Sequence, residues 1–374
     1  MIEEIHIRNL KSITRLTMPL GRLNVLIGAN GSGKSNILEA IGMIAAKSGD
    51  KIELDSLAQR GVRIARPELM TNSFYGEKAS KTITIGLMEK GTAVTFKLNQ
   101  LSEDDIYTPW MVETKVGRSG NNVVDKLEFA LSRYAIFSPD IDVLRGLYSA
   151  STLYPLGIHG EGLDVLMSQL QKEDIEVVED IAIKYIPWMD EMVYDPHNLL
   201  KYRGYKLGRS KSNLYFTDKF MRKRNNFFSA ENANEGALML LFYLTLMVSK
   251  NTPKFFAIDN IDSGLNPRLC RYLMKELALL AYKYDKQLMV TTHNPAVLDG
   301  LDLLDRQTKL FVVERSDDGD TLANEIETKP NNTRRMKLSE MWMNGLIGGV
   351  PEDFKGNTLT HTGECWIIKS SARN

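Results

Sequence analysis

Residues 23–36 read Leu23-Asn24-Val25-Leu26-Ile27-Gly28-Ala29-Asn30-Gly31-Ser32-Gly33-Lys34-Ser35-Asn36. From Gly28 to Ser35 the pattern is Gly-x-x-x-x-Gly-Lys-Ser, a P-loop. Leu23, Val25, Leu26 and Ile27 predict a buried strand before it, and Asn36-Ile37-Leu38-Glu39-Ala40-Ile41 predicts an amphipathic helix after it. Glycines at 28, 31 and 33 permit a tight turn whose N–H groups point inward at phosphate oxygens. The helix start near Gly33 adds further N–H groups and the positive end of its dipole. In this pattern Lys34 reaches β- and γ-phosphates and Ser35 holds Mg2+, while Asn30, Gly31, Ser32, Gly33 and Asn36 complete a cradle for ATP.

A P-loop needs a carboxylate at the end of a neighbouring strand. Phe255-Phe256-Ala257-Ile258-Asp259 supplies one, where an apolar run turns polar. Alone, Asp259 would suit any strand-end turn; behind a P-loop it reads as the second Mg2+-binding residue. Asn260-Ile261-Asp262-Ser263-Gly264-Leu265-Asn266-Pro267 follows, and a later strand ends in Thr291-Thr292-His293-Asn294-Pro295. A histidine leaving a strand at this point is placed to sense a γ-phosphate, although an isolated histidine is more often structural.

The 374-residue chain has room for two compact units or one domain with a large insertion. Its net charge is zero, so global charge does not announce nucleic acid. The two cysteines, Cys270 and Cys365, lack metal spacing and suit a reducing compartment. The start carries no basic-then-apolar leader, and the longest apolar run, 236–248, is too short to span a membrane. A cytoplasmic location is expected, with no membrane partner. Neither a Gly-x-Ser-x-Gly elbow nor a Cys/His pair or cluster suggests other chemistry. Residues 310–314 with Asp317-Asp318-Gly319-Asp320 read as a strand and an acidic turn, not as part of a nuclease domain.

Strands alternate with helices at both ends, and the middle is mixed, which predicts an α/β fold. Expected units are 1–47, the first part of the core; 48–228, inserted strands and helices; 229–330, the second part of the core; and 331–374, a tail whose last 25 or so residues look loosely ordered. Within these, 82–88 and 92–98 predict a hairpin around Glu89-Lys90-Gly91, residues 162–186 two helices, and 234–249 a strongly apolar helix.

In order along the chain, the P-loop, Asp259, Ser263-Gly264-Leu265-Asn266 and Thr292-His293 resemble the Walker A, Walker B, D-loop and H-loop of ABC-type ATPases. The opening Ile5-x-Ile-x-Asn9-Leu10-Lys11-Ser12 resembles the RecF, SMC and OLD branch. Arg60-Gly61-Val62-Arg63, Pro67-Glu68-Leu69 and the phrase 259–267 resemble short, arm-less AAA-family ATPases found in bacterial defence loci. The resemblance implies an ABC-type P-loop ATPase head: a mixed β-sheet with flanking helices, and a large α+β insertion between Walker A and the signature helix. It implies a homodimer that sandwiches ATP between Walker A of one copy and the signature of the other. Ala233-Asn234-Glu235-Gly236-Ala237 is the matching signature, with Asn234 where serine is usual and Gly236 presenting its N–H. Lys11 and Ser263 join the expected nucleotide-binding set on the same ground.

One departure bears on mechanism. These ATPases usually carry glutamate after the Walker B aspartate; here stands Asn260, which cannot take a proton. With Asp259, Asn260 and His293 as the catalytic set, slow hydrolysis is expected unless another carboxylate helps, Asp262 being nearest. For the Q-loop, Gln59 and Gln100 both remain open. The resemblance further implies an effector partner, a nuclease or toxin, in anti-phage defence; a DNA-repair ATPase of RecF type is the alternative. A transporter subunit fits less well, because roughly 200 residues separate Lys34 from Gly236.

Residues 197–228 hold nine Lys/Arg and one acid among aromatics: Lys201, Arg203, Lys206, Arg209, Lys211, Lys219, Arg222, Lys223 and Arg224 with Tyr202, Tyr205, Tyr215, Phe216 and Phe220. Such a stretch can meet DNA or RNA, a partner protein, or only solvent.

Overall fold

A computed structural model of the chain describes residues 1–48, 51–74, 80–101, 109–117, 127, 130–148, 152, 155–203, 205–327, 336–349, 360–362 and 365–367. The strands that matter for the site are β1 (Glu4–Leu10), β2 (Ile13–Pro19), β3 (Leu23–Ile27), β4 (Lys47–Ser48), β5 (Lys51–Ile52), β6 (Thr82–Glu89), β7 (Thr92–Gln100), β8 (Trp110–Val116), β9 (Ile136–Phe137), β10 (Met189–Tyr194), β11 (Leu214–Asp218), β12 (Phe227–Ser229), β13 (Phe255–Ile258), β14 (Gln287–Thr291), β15 (Thr308–Arg315) and β16 (Thr321–Glu325). The long helices are α1 (Lys34–Ala45), α2 (Lys172–Tyr185), α3 (Glu235–Val248) and α4 (Pro267–Lys283).

Every residue of β3, β13 and β14 is buried. That matches their unbroken apolar sequence, because a parallel sheet is covered on both faces. They form the middle of a six-stranded sheet in the order β16-β15-β3-β14-β13-β9. All its pairings are parallel except that of β15 with β16. Helix α3 lies against this sheet with residues 237–248 all buried, which explains why its sequence is apolar on every side.

A second sheet, antiparallel, runs β2-β1-β6-β7-β8-β5-β4. Its strands alternate buried and open positions, as in β7, because one face packs on α1 and the other meets solvent. The hairpin β6–β7 turns on Lys90 and Gly91, both at left-handed φ (50° and 72°), the pair of conformations a two-residue loop of this kind requires. The buried side chain of Gln287 ties the two sheets: its amide donates to the carbonyls of Ile2 (2.7 Å) and Gly21 (2.8 Å) and its oxygen accepts from Ile2 N (3.0 Å).

The segment 48–228 contributes to three places. Strands β5 to β8 extend the sheet begun by β1 and β2, β9 adds to the parallel sheet, and β10, β11 and β12 form a small sheet of their own. Strands β8 and β10 arise where the sequence shows little alternation; each buries only part of one face. The two helices expected in 162–186 are Leu163–Ser168 and α2. Most of 101–132 and of the last 25 residues lies outside the described residues.

Candidate nucleotide site

Strands β3, β13 and β14 end side by side, and each feeds a loop that carries one part of the P-loop pattern: Gly28 after β3, Asp259 after β13, His293 two residues after β14. Carboxyl ends of parallel strands are where such sheets hold ligands. A cavity of about 310 Å3 opens there, lined by Asn30, Gly31, Gly33, Lys34, Ser35, Asn36, Arg63, Asp259, Asn260 and His293.

The loop needs its glycines for two reasons. Gly28 and Gly33 adopt φ of 148° and 108°. A methyl at Gly28 would lie 2.0 Å from the Val313 carbonyl, and one at Gly33 would lie 2.3 Å from Thr321 Oγ1. Gly33 begins α1, and no side chain caps that helix start, so its first N–H groups face the cavity. Beneath the loop, Thr321 Oγ1 donates to Ser32 O (3.0 Å) and meets Ser12 Oγ at 2.7 Å, and Asn36 Nδ2 donates to Ser12 Oγ (2.8 Å).

Lys34 folds back on its own loop and donates to the carbonyls of Gly28 and Ala29, each at 2.9 Å. Burial pulls its ammonium down to about 8, opposed by the charge of Asp259. Ser35 Oγ donates to Asp259 Oδ2 at 3.2 Å. Thr291 Oγ1 donates to the other carboxylate oxygen and accepts from Asn260 N at 2.9 Å, which fixes Asp259 and the start of its loop together. Asn260 itself stands at left-handed φ (55°), a conformation asparagine tolerates better than most residues. Burial, then the nearby Lys34 charge, holds His293 below the ordinary histidine range, against Asp262, Asp259 and a hydrogen bond to the Gly28 backbone. This balance favours the neutral imidazole.

A hydroxyl and a carboxylate this close are the hard oxygen donors that Mg2+ takes, and that ion usually keeps waters and substrate phosphates as its remaining ligands. Ser35 and Asp259 thus fit a Mg2+ bound with ATP. Among the described residues no cluster of three or more His, Cys, Asp or Glu side chains offers a different metal site.

Of the residues expected from sequence, Asn30, Gly31, Gly33, Lys34, Ser35, Asn36, Asp259, Asn260 and His293 share the cavity, with Ser32 buried just below. Lys11 does not line it: its ammonium pairs with the buried carboxylate of Glu39. Asn234, Gly236 and Ser263 lie together elsewhere in the chain. Asn234 caps α3 by accepting from Ala237 N at 3.3 Å, Ser263 N donates to Asn260 O at 3.0 Å, and a methyl on Gly236 would stand 3.6 Å from Gly264 O. Neither Gln59 nor Gln100 reaches the cavity; Gln100 donates to Glu68 at 2.7 Å.

Two further residues at the site carry no motif of their own. Arg63 reaches the cavity with its Nε on Glu39 and its Nη2 on Asn36 Oδ1 at 3.1 Å, so one buried carboxylate orients two cations, Lys11 and Arg63. Its signal was the fragment Arg60-Gly61-Val62-Arg63. Thr291 matters only because β14 lies beside β13, a relationship that no local pattern encodes.

The basic stretch splits in two. Lys206 is buried, donates to Ser212 O at 2.6 Å and lies over the Tyr215 ring, and Tyr215 and Phe216 are core residues. These three leave the candidate contact surface. The turn between β11 and β12 keeps Lys219, Phe220, Met221, Arg222, Lys223 and Arg224 exposed, with Phe220 at 75%.

Residues 23–299 match the family described as "AAA domain, putative AbiEii toxin, Type IV TA system". The chain belongs to that family. This AAA-domain protein is accordingly a P-loop ATPase, a class that works on a nucleotide, usually with Mg2+. Its fold is that of the ABC-type heads of SMC proteins. It is similar to an Smc head bound to the C-winged helix domain of ScpA, with a TM-score of 0.56 and 16% identity over 87% of this chain and 98% of that one. An Smc head with a coiled coil and joint from Pyrococcus yayanosii gives 0.53 and 11%, covering 87% and 97%. One from Pyrococcus furiosus, bound to the C-terminal domain of ScpA, gives 0.52 and 13%, covering 87% and 96%. No curated protein matches the sequence. Among the described residues no helix of this ATPase is long and apolar enough to cross a membrane.

Proposed function

We propose that this ATPase binds ATP with Mg2+, closes as a homodimer around it, hydrolyses it slowly and so governs an effector, a nuclease or toxin, in bacterial anti-phage defence. The observation that carries the reading is a complete phosphate cavity with Asn260 where the proton acceptor belongs. The loop N–H groups and Lys34 bind the phosphates. Ser35 and Asp259 hold Mg2+, which neutralises phosphate charge when bound. His293 lines the cavity and offers a ring N–H toward the γ-phosphate. Asn260 orients water through its amide and cannot accept the proton, so the ATP state persists. Asp262 does not take over: it accepts from Thr292 Oγ1 at 2.6 Å and lies off the cavity.

Asn234, Gly236 and Ser263 do not line the cavity of their own chain, which supports their use in completing the site of a second copy. The family description supports a defence setting. Affinity capture of the tagged chain from its native host with ATP present, read by mass spectrometry, tests the reading. A nuclease or toxin recovered in stoichiometric amount is the expected result; recovery of the chain alone contradicts it.

The exposed turn Lys219–Arg224 favours a second reading, a RecF-type ATPase acting on nucleic acid. Four cations and an exposed phenyl ring suit a phosphate backbone and a stacked base. ATPase activity stimulated by DNA would support this reading over the first.

A further inference from the structure

We propose that residues 338–349 hold the γ-phosphate end of the nucleotide site in position, with Gly349 as the contact on the P-loop. The proposal rests on the reading of the cavity as an ATP site. The short helix Leu338–Met343 packs on the helix Pro295–Leu298, which begins two residues after His293. Ser339 N donates to Asp299 Oδ1 at 3.2 Å, and Trp342 is buried in the core beneath. The chain then turns through Gly345, Gly348 and Gly349, all at left-handed φ (69°, 80° and 72°), and returns to the end of the parallel sheet. There Gly349 N donates to Glu314 Oε2 at 3.3 Å.

Gly349 fills a corner. A methyl on it would stand 2.6 Å from Val312 Cγ1, 3.4 Å from Gly28 Cα and 3.5 Å from Trp342 Nε1. One segment therefore rests on the far end of the helix that follows His293, through Ser339 on Asp299, and lies beside Gly28 of the P-loop, through Gly349. Gly28 in turn holds Lys34 Nζ by its carbonyl at 2.9 Å. The three atoms nearest a methyl on Gly349 include none from Gly31 to Ser35, whose N–H groups cradle the inner phosphates. Packed interiors transmit small displacements, so moving this segment shifts Gly28 and the Lys34 ammonium it holds, and with them the reading of a third phosphate, more than the loop N–H groups that cradle the inner two. Gly349 and Glu314 are thus positioning residues.

The test compares two alanines. Gly345→Ala and Gly349→Ala carry a similar left-handed backbone cost, but a methyl at Gly345 meets nothing within 4 Å. Affinities for ADP and for a non-hydrolysable ATP analogue are measured on the full chain, with thermal stability alongside. G349A should bind the ATP analogue at least about fivefold more weakly, roughly 1 kcal/mol, with ADP affinity unchanged. G345A should bind both as the wild type does. Adding Val312→Ala to G349A removes the clashing methyl and should restore analogue binding. Glu314→Ala, which adds no bulk, should give a smaller loss of the same selectivity and serves if G349A does not fold. Equal weakening of ADP and ATP analogue, or identical behaviour of G345A and G349A, would overturn the proposal. Lys34→Ala separates the two layers: it should weaken both nucleotides, and if it weakens neither, the cavity is not the ATP site and the proposal falls with it.

Discussion

Ser35 Oγ and Asp259 Oδ2 stand 3.2 Å apart although 224 positions separate them in the chain. The P-loop brings the hydroxyl, the end of β13 brings the carboxylate, and parallel pairing through β14 fixes their distance.

Asp259→Asn keeps the shape of this pair and removes the charge that favours a divalent cation. Turnover should fall by at least the ~10–100-fold seen when support for a metal is lost. ATP affinity of the variant should no longer respond to Mg2+, and in EDTA it should equal that of the wild type. Isothermal titration with and without EDTA checks this; a full Mg2+ response in the variant would place the metal elsewhere.

Asn260→Glu supplies the missing proton acceptor beside Asp259. A positioned general base contributes about 10²–10⁴-fold, so steady-state phosphate release should rise. The left-handed φ of Asn260 (55°) disfavours glutamate, so the gain should fall at the lower end. No rise at all would mean that the water is activated by another group.

Reversing Arg222, Lys223 and Arg224 to glutamate tests the exposed turn without touching the core. If it meets single-stranded nucleic acid, affinity for an oligonucleotide should drop and the salt slope should become shallower by about 2. Fluorescence anisotropy across a salt series reads both, and unchanged binding returns the turn to solvent. Lys206 is left out of this set because it is buried against Ser212 and Tyr215.

Lys286 gives a pH dependence remote from the site. Its ammonium is buried among the oxygens of Ser249, Thr252 and Pro253, and burial, with Arg133 and Lys254 nearby, pulls it down to about 7. The unfolded chain keeps that proton up to about 10.4. Between these values the unfolded state binds more protons than the folded state, so stability should rise with pH from about 7 toward 10. Lys286→Met should flatten this rise, and it should also destabilise the chain by a few kcal/mol through the acceptors it strands. Chemical denaturation at several pH values measures both effects; an equal slope in the variant would exclude Lys286 as its source.

Local motifs carried the site further than they carried the fold. The P-loop, Asp259 and His293 were legible because each sits where an apolar strand ends, and a fully buried parallel strand leaves that edge visible in sequence. Helix α3 was legible for the same reason, being apolar on every side. Strands β4, β5 and β9 have two residues each, too few for a period to show. Thr291, Glu39 and Arg63 escaped because their roles are set by neighbours across the sheet and across α1. Lys206 misled because a charged residue within a basic run reads as surface, whereas backbone carbonyls and a tyrosine ring receive it inside.

A slow ATPase of the kind proposed dwells in an ATP-bound dimer. Mass photometry of the wild type with ATP and Mg2+, followed over time beside an ADP control, tests it most directly. The expected result is a doubled mass with ATP that outlasts many minutes, a monomer with ADP, and no doubling for Lys34→Ala. A monomer under ATP while phosphate is released rapidly would contradict it.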